Sequence, residues 1–198
     1  PISGTYLRLL RYIGVFLSLF LTPIWLLAAM DKINLPAMFD IFAPDEKVHI
    51  AIFLQILAAE LGVEFLRMAS IHTPSSLSTA MGLVAGILIG DVAIKVGVFS
   101  TQTVFVIAIS TIGTYITPSY ELGLANKLSK IIFLIAIYFW GIIGFSVAVF
   151  TWLVLLATQK SFNRYYLYPL IPLNPKKLFE VVFRVPNKEV KRNAKVKM

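Results

Sequence analysis

The chain has 198 residues, 58% of them hydrophobic and only 14% charged, with a formal net charge of +8 and no cysteine. That leaves too few polar side chains to clothe a soluble surface of ordinary size. It also excludes disulfides, thiolate nucleophiles and cysteine-based metal sites.

Four long apolar stretches dominate the chain: Tyr12–Met30, Leu77–Phe99, Thr103–Thr117 with its continuation, and Ile131–Thr158. A helix needs about 20 apolar residues to cross a bilayer. The pattern predicts an all-α, polytopic helical membrane domain over residues 1–160, with about four to five transmembrane or re-entrant helices. A short basic cytoplasmic or interfacial segment over 161–198 completes it. The first stretch lacks the layout of a signal peptide, and the chain reads as a membrane domain of a longer polypeptide. Arg8 and Arg11 precede that stretch and predict a cytoplasmic start. Pro23 is expected to kink it, and Trp25 is expected at the membrane interface. The acidic residues Asp31, Asp40, Asp45 and Glu46 outnumber Lys32 and Lys47 in the next loop, which suits the outer side.

Val48–Ile71 is long enough to span but carries Gln55, Glu60, Glu64 and Arg67. On a helix, His49, Glu60, Glu64 and Arg67 fall within a sector of about 60°. Such a stripe either faces water, with the helix lying in the interface, or faces a polar bundle interior. Four spans place both chain ends inside if this helix lies in the interface; if it crosses, another segment must fail to cross, the broken one at Pro118 being the candidate. His72-Thr73-Pro74 should end it.

The next stretch holds Gly82, Gly86 and Gly90 at four-residue spacing, a smooth face suited to close helix packing. Asp91 and Lys95 follow in the i,i+4 order that favours an ion pair. Gly97–Thr103 reads as a hairpin turn. Ser110, Thr111, Thr114 and Thr117 then line a helix that meets Pro118 and Glu121, the pattern of a broken helix. Those hydroxyls either bond back to their own helix or line a water-filled pathway. Asn126, Lys127 and Lys130 close the segment. Ile131–Thr158 reads as one span, tilted or protruding because of its length. Asn174-Pro175 should start a short helix to about Arg184. From Lys160 on, ten basic residues face only Glu180 and Glu189, a cytoplasmic tail by the positive-inside bias. No nucleic-acid-binding module accompanies them.

No catalytic constellation or cofactor fingerprint is present, so neither an enzyme nor a bound cofactor or metal is expected. The candidate ion pathway comprises Glu60, Glu64, Arg67, Ser110, Thr114, Pro118 and Glu121. Gly82, Gly86 and Gly90 are the helix-packing candidates, and Asp91–Lys95 the ion-pair candidate.

These same residues carry a family resemblance. The helix with Glu60, Glu64 and Arg67, then Pro74, the Gly82–Gly90 run, the Gly97-Val98-Phe99-Ser100 turn and Thr117-Pro118-Ser119-Tyr120 resemble the membrane domain of bacterial spore-germination proteins of the GerA A-subunit type. Pro169, Pro172, Pro175 and Arg184-Val185-Pro186 resemble that family's closing segment. The segments 69–74 and 118–127 look closest to its stage V sporulation protein AF branch. The resemblance implies a multi-pass protein of the spore inner membrane with both ends cytoplasmic, and a soluble N-terminal domain absent here. It also implies a homo-oligomer that conducts ions, monovalent cations among them, during germination. Membrane lipid and other germination membrane proteins are the implied partners.

Overall fold

The structure, a computed structural model, describes residues 2–30, 48–72, 86–87, 90–161, 164–167, 169–170 and 173–183. Asp31–Lys47, Pro74, Gly82 and the last fifteen residues lie outside them. Helix α1 covers Ile2–Phe16 and passes through a π-helical turn, Leu17–Leu21, into α2, Thr22–Ala29. Helix α3 is Ile52–His72, α4 is Thr101–Ile116 and α5 is Tyr120–Thr158. A two-residue antiparallel ladder pairs β1, Lys160–Ser161, with β2, Arg164–Tyr165, and α6 covers Pro175–Val182. Residues 86–87 and 90–95 are also helical.

The first helix starts ten residues before the apolar stretch does and continues past Pro23. Proline has no N–H to donate and its ring crowds the carbonyl one turn back. The widened π-turn at Leu17–Leu21 absorbs that conflict. Trp25 does not point to the outer surface of the bundle. It is 6% exposed and packs in the core with Leu26, Leu27, Ile56, Val106, Ile107, Leu134 and Ile137. It faces inward because α2 shares one apolar face with α3, α4 and α5.

The largest departure from expectation is in α5. Gly141 has φ 61° and ψ −137°, a backbone state open to glycine alone at low cost. There the chain reverses. Phe133 meets Phe145 with ring centroids 5.9 Å apart, and Trp152 Nε1 donates to Ser129 Oγ at 3.0 Å. Residues 133 and 145 in a straight helix would be separated by about 18 Å. The single tilted span expected over Ile131–Thr158 is therefore two antiparallel limbs, 120–140 and 142–158. Gly144 fits at the turn because any Cβ there would strike the Ala136 carbonyl.

Two further turns set the order of the helices. After the helical residues 90–95, Val98 N–H bonds the Ala93 carbonyl at 2.8 Å and Gly97 N–H bonds the Ile94 carbonyl at 3.0 Å. With φ 74° at Gly97, this is a Schellman stop. Ser100 then caps α4, its Oγ accepting from Thr103 N–H at 3.1 Å. Gln55 Oε1 on α3 accepts from Ser100 N–H and Thr103 Oγ1, tying that turn to the start of α3. At the opposite end Pro118 is not a break within a helix. Thr117 leaves α4 in an extended conformation, and Ser119 caps α5 by accepting from Leu122 N–H. Pro118 and Ser119 are exposed in a reversal between antiparallel helices.

The helices thus alternate in direction. One end of the bundle carries Trp25, the start of α3, the Gly97 turn and Gly141. The other carries the start of α1, Pro118 and α6. Arg8 Nη1 donates to the Val181 carbonyl at 3.0 Å, joining the first helix to the last. Asn174 Oδ1 caps α6 by accepting from Lys177 N–H. Helix α1 crosses α4 closely: a Cβ on Gly113 would lie 2.5 Å from the Gly14 carbonyl.

Candidate functional site

The charged stripe of α3 turns inward. Glu60 is 3% exposed, and the side chains of Glu64 and Arg67 are at 14% and 12%. Of the two readings of this helix, the bundle interior is the one observed, because α5 presents matching amines. Lys130 Nζ donates to Glu60 Oε1 at 2.5 Å. Lys127 Nζ donates to Glu64 Oε2 at 2.9 Å and to the Glu60 backbone carbonyl at 2.8 Å. Arg67 Nη1 stands 3.9 Å from Glu64 Oε2, and its guanidinium lies over the Tyr120 ring at 4.5 Å. Two carboxylates and three cations alternate down the α3–α5 interface, leaving one formal positive charge in excess.

The spacings explain the match. Glu60, Glu64 and Arg67 recur one turn apart on α3, and Lys127 and Lys130 do so on α5. Glu60 lies about 12 Å along α3, and Lys130 about 15 Å along the 120–140 limb, by helical rise. The ladder therefore begins at mid-depth and descends toward the Pro118 end.

Lys130 also donates to Ser110 Oγ on α4 at 3.1 Å, and Ser110 Oγ donates to the Ser18 carbonyl at 3.3 Å. That carbonyl lies in the π-turn, where Pro23 has no N–H to offer. A hydroxyl from a neighbouring helix serves a backbone acceptor there, as the interior of a membrane protein requires. One buried amine thus links α3, α4, α5 and the π-turn.

Of the sequence candidates, Glu60, Glu64, Arg67, Ser110 and Thr114 come together. Thr114 and Thr111 border a cavity of about 10 Å³ beside Glu60, Glu64 and Lys127, room for about one water. Thr114 Oγ1 and Thr117 Oγ1 donate to the carbonyls four residues back. Pro118 lies apart, in the turn, and Glu121 is exposed in the first turn of α5. Asp91 and Lys95 pair at 2.6 Å with both side chains more than half exposed. Gly86 has Leu66 Cδ1 3.6 Å from where a Cβ would sit, and Gly90 has nothing within 4 Å. Gly82 is outside the described residues.

Sequence reasoning missed the partners. Lys127 and Lys130 read as the end of a segment, yet they neutralise the carboxylates. The signal was present: basic residues at i,i+3 in one apolar helix complement acidic residues at i,i+4 in another. Ser18 and Tyr120 carried no comparable signal.

The family described as Bacillus/Clostridium GerA spore germination protein matches residues 1–196. Stage V sporulation protein AF of Bacillus subtilis (strain 168) is 44% identical over 184 residues, covering 93% of this chain and 37% of that protein. Spore germination protein A1 of the same organism is 29% identical over 193 residues, 94% of this chain and 39% of that one. Spore germination protein KA, again from that organism, is 28% identical over 186 residues, with shares of 92% and 34%. The chain spans little more than a third of these relatives' length. No solved structure matches it.

Proposed function

Because this chain belongs to the Bacillus/Clostridium GerA spore germination protein family, we propose that it is the membrane domain of a spore germination protein and a subunit of an oligomeric ion channel in the spore inner membrane. The channel releases ions, monovalent cations among them, during germination. The observation that carries this reading is the charged ladder. An ionised side chain at mid-bilayer costs about 2.5–3.5 kcal/mol on insertion scales. Anchoring alone requires none, yet this chain keeps five ionisable groups together in its interior, from mid-depth toward the Pro118 end.

On this reading the arrangement of the single chain corresponds to a closed channel. Each carboxylate is held by a lysine, and the cavity beside them has room for about one water. Conduction requires α3 and α5 to part, or the oligomer to supply the path. Two observations support a multi-pass topology with both ends cytoplasmic. Arg8 and Val181 bring the first and last described helices together, and Arg8, Arg11 and Lys177 lie at that end of the bundle. Homo-oligomers and other germination membrane proteins are the proposed partners, with residues 161–198 forming the cytoplasmic segment. Ion flux through liposomes holding the purified protein tests the reading. Glu60→Gln and Glu64→Gln should alter cation flux, and unchanged flux through folded variants removes both residues from the pathway.

A second reading, a non-conducting scaffold for germination membrane proteins, rests on the open space beside Gly90. It requires that Gly86→Leu disrupt assembly while the unaltered protein passes no current.

A further inference from the structure

A cleft of about 520 Å³ opens at the end of the bundle where the first and last helices meet. It is separate from the charged ladder. One wall is α1, with Arg8, Arg11, Tyr12 and Val15; Pro118 and Leu122 form the second, and Val181 of α6 the third. Two of the seven lining residues are arginines and none is acidic. The remainder of the lining is mostly apolar.

We propose that this cleft binds one anionic phospholipid, its phosphate on the Arg11 guanidinium at the mouth and an acyl chain along Val15, Leu122 and Val181. Three observations converge. First, the charge of the described lining residues is one-sided: a phosphodiester meets two arginines among them and no carboxylate. Arginine presents a planar fork suited to phosphate oxygens.

Second, the cleft lies at headgroup depth. It opens at the bundle end that carries Arg8, Arg11 and Lys177, where the positive-inside bias places the anionic cytoplasmic leaflet. Tyr12 stands at the same level, with its hydroxyl donating to the Val181 carbonyl at 3.4 Å. Aromatic rings with a polar tip favour that zone.

Third, its roof is an interfacial helix. Phe179 and Phe183 of the α6 region are exposed, at 58% and 42%, with ring centroids 4.7 Å apart. Exposed Lys177 lies on the same helix. Exposed phenylalanines beside lysine suit a helix lying in the headgroup layer. A lipid in the cleft would touch the first helix, the α4–α5 turn and α6 together. The inference rests on the membrane reading of the chain and is independent of whether the oligomer conducts.

The test is lipid retention by the detergent-extracted protein, read by native mass spectrometry and by the shift in thermal midpoint on lipid addition. Dioleoyl phosphatidylglycerol should be retained and should raise the midpoint, while dioleoyl phosphatidylcholine should do neither. Arg11→Gln should weaken retention at least tenfold, and Lys177→Gln, which removes the same charge outside the cleft, should not. Val15→Trp fills the cleft with both arginines left in place, and it too should abolish retention. Equal losses from Arg11→Gln and Lys177→Gln would reduce the effect to general surface charge and overturn the site. So would full retention by Val15→Trp, or displacement of the lipid by millimolar inorganic phosphate. Should Arg11→Gln fail to fold, Val15→Trp and the two-lipid comparison still decide the matter.

Discussion

Lys130 and Glu60, seventy residues apart in the chain, meet at 2.5 Å with side chains only 2% and 4% exposed. Each is the other's reason for being tolerated. Removing Glu60 leaves the Lys130 amine without a carboxylate, and removing Lys130 leaves Glu60 with only its longer 3.6 Å pairing to Lys127. Losses reach about 3–5 kcal/mol where a buried charge is left uncompensated. Lys130→Met alone should therefore destabilise the extracted protein strongly. Lys130→Met combined with Glu60→Gln should recover most of the loss. A double-mutant cycle by thermal or denaturant unfolding measures the coupling, and strictly additive single effects would contradict the pairing.

The reversal at Gly141 predicts a cross-link. Phe133→Cys with Phe145→Cys, introduced into a chain without native cysteine, should form a disulfide on mild oxidation. A straight helix holds those positions about 18 Å apart, far beyond the roughly 7 Å limit between bridged Cα atoms. Failure to cross-link in a folded protein would restore the single long helix. Gly141→Ala should lower stability by about 1–3 kcal/mol, because alanine is strained at φ 61°.

Glycines should differ sharply in their tolerance of a methyl group. At Gly113 the added carbon meets the Gly14 carbonyl at 2.5 Å, and backbone cannot step aside. Gly113→Ala should push α1 and α4 apart and cost about 1–3 kcal/mol. At Gly90 the same change enters open space, so Gly90→Ala should be neutral or gain up to about 1 kcal/mol of helix propensity. Thermal midpoints of the two variants provide the comparison, and equal shifts would refute the predicted packing.

Sidedness can be read with single cysteines. Val96→Cys, beside the Gly97 turn, and Ser119→Cys, in the α4–α5 turn, lie at opposite ends of the bundle and both sites are exposed. An impermeant maleimide added to sealed, cytoplasm-inside vesicles should label the first and spare the second. The reverse pattern would invert the assigned orientation, and equal labelling would contradict a spanning bundle.

Composition and periodicity alone determined the solvent class of this chain, the helical architecture, the acidic stripe on α3, a turn within Gly97–Thr103 and the Asn174 cap. All of these depend on residues close in sequence, where helical geometry fixes what lies beside what. Tertiary structure alone decided which way the α3 stripe faces, since that depends on where Lys127 and Lys130 arrive from a helix more than sixty residues away. It also placed Trp25 in the core and divided Ile131–Thr158 at Gly141. Glycine accepts both signs of φ, so its letter in an apolar run does not announce a reversal. Only the antiparallel packing of Phe133 on Phe145 and of Trp152 on Ser129 makes that reversal the favoured conformation.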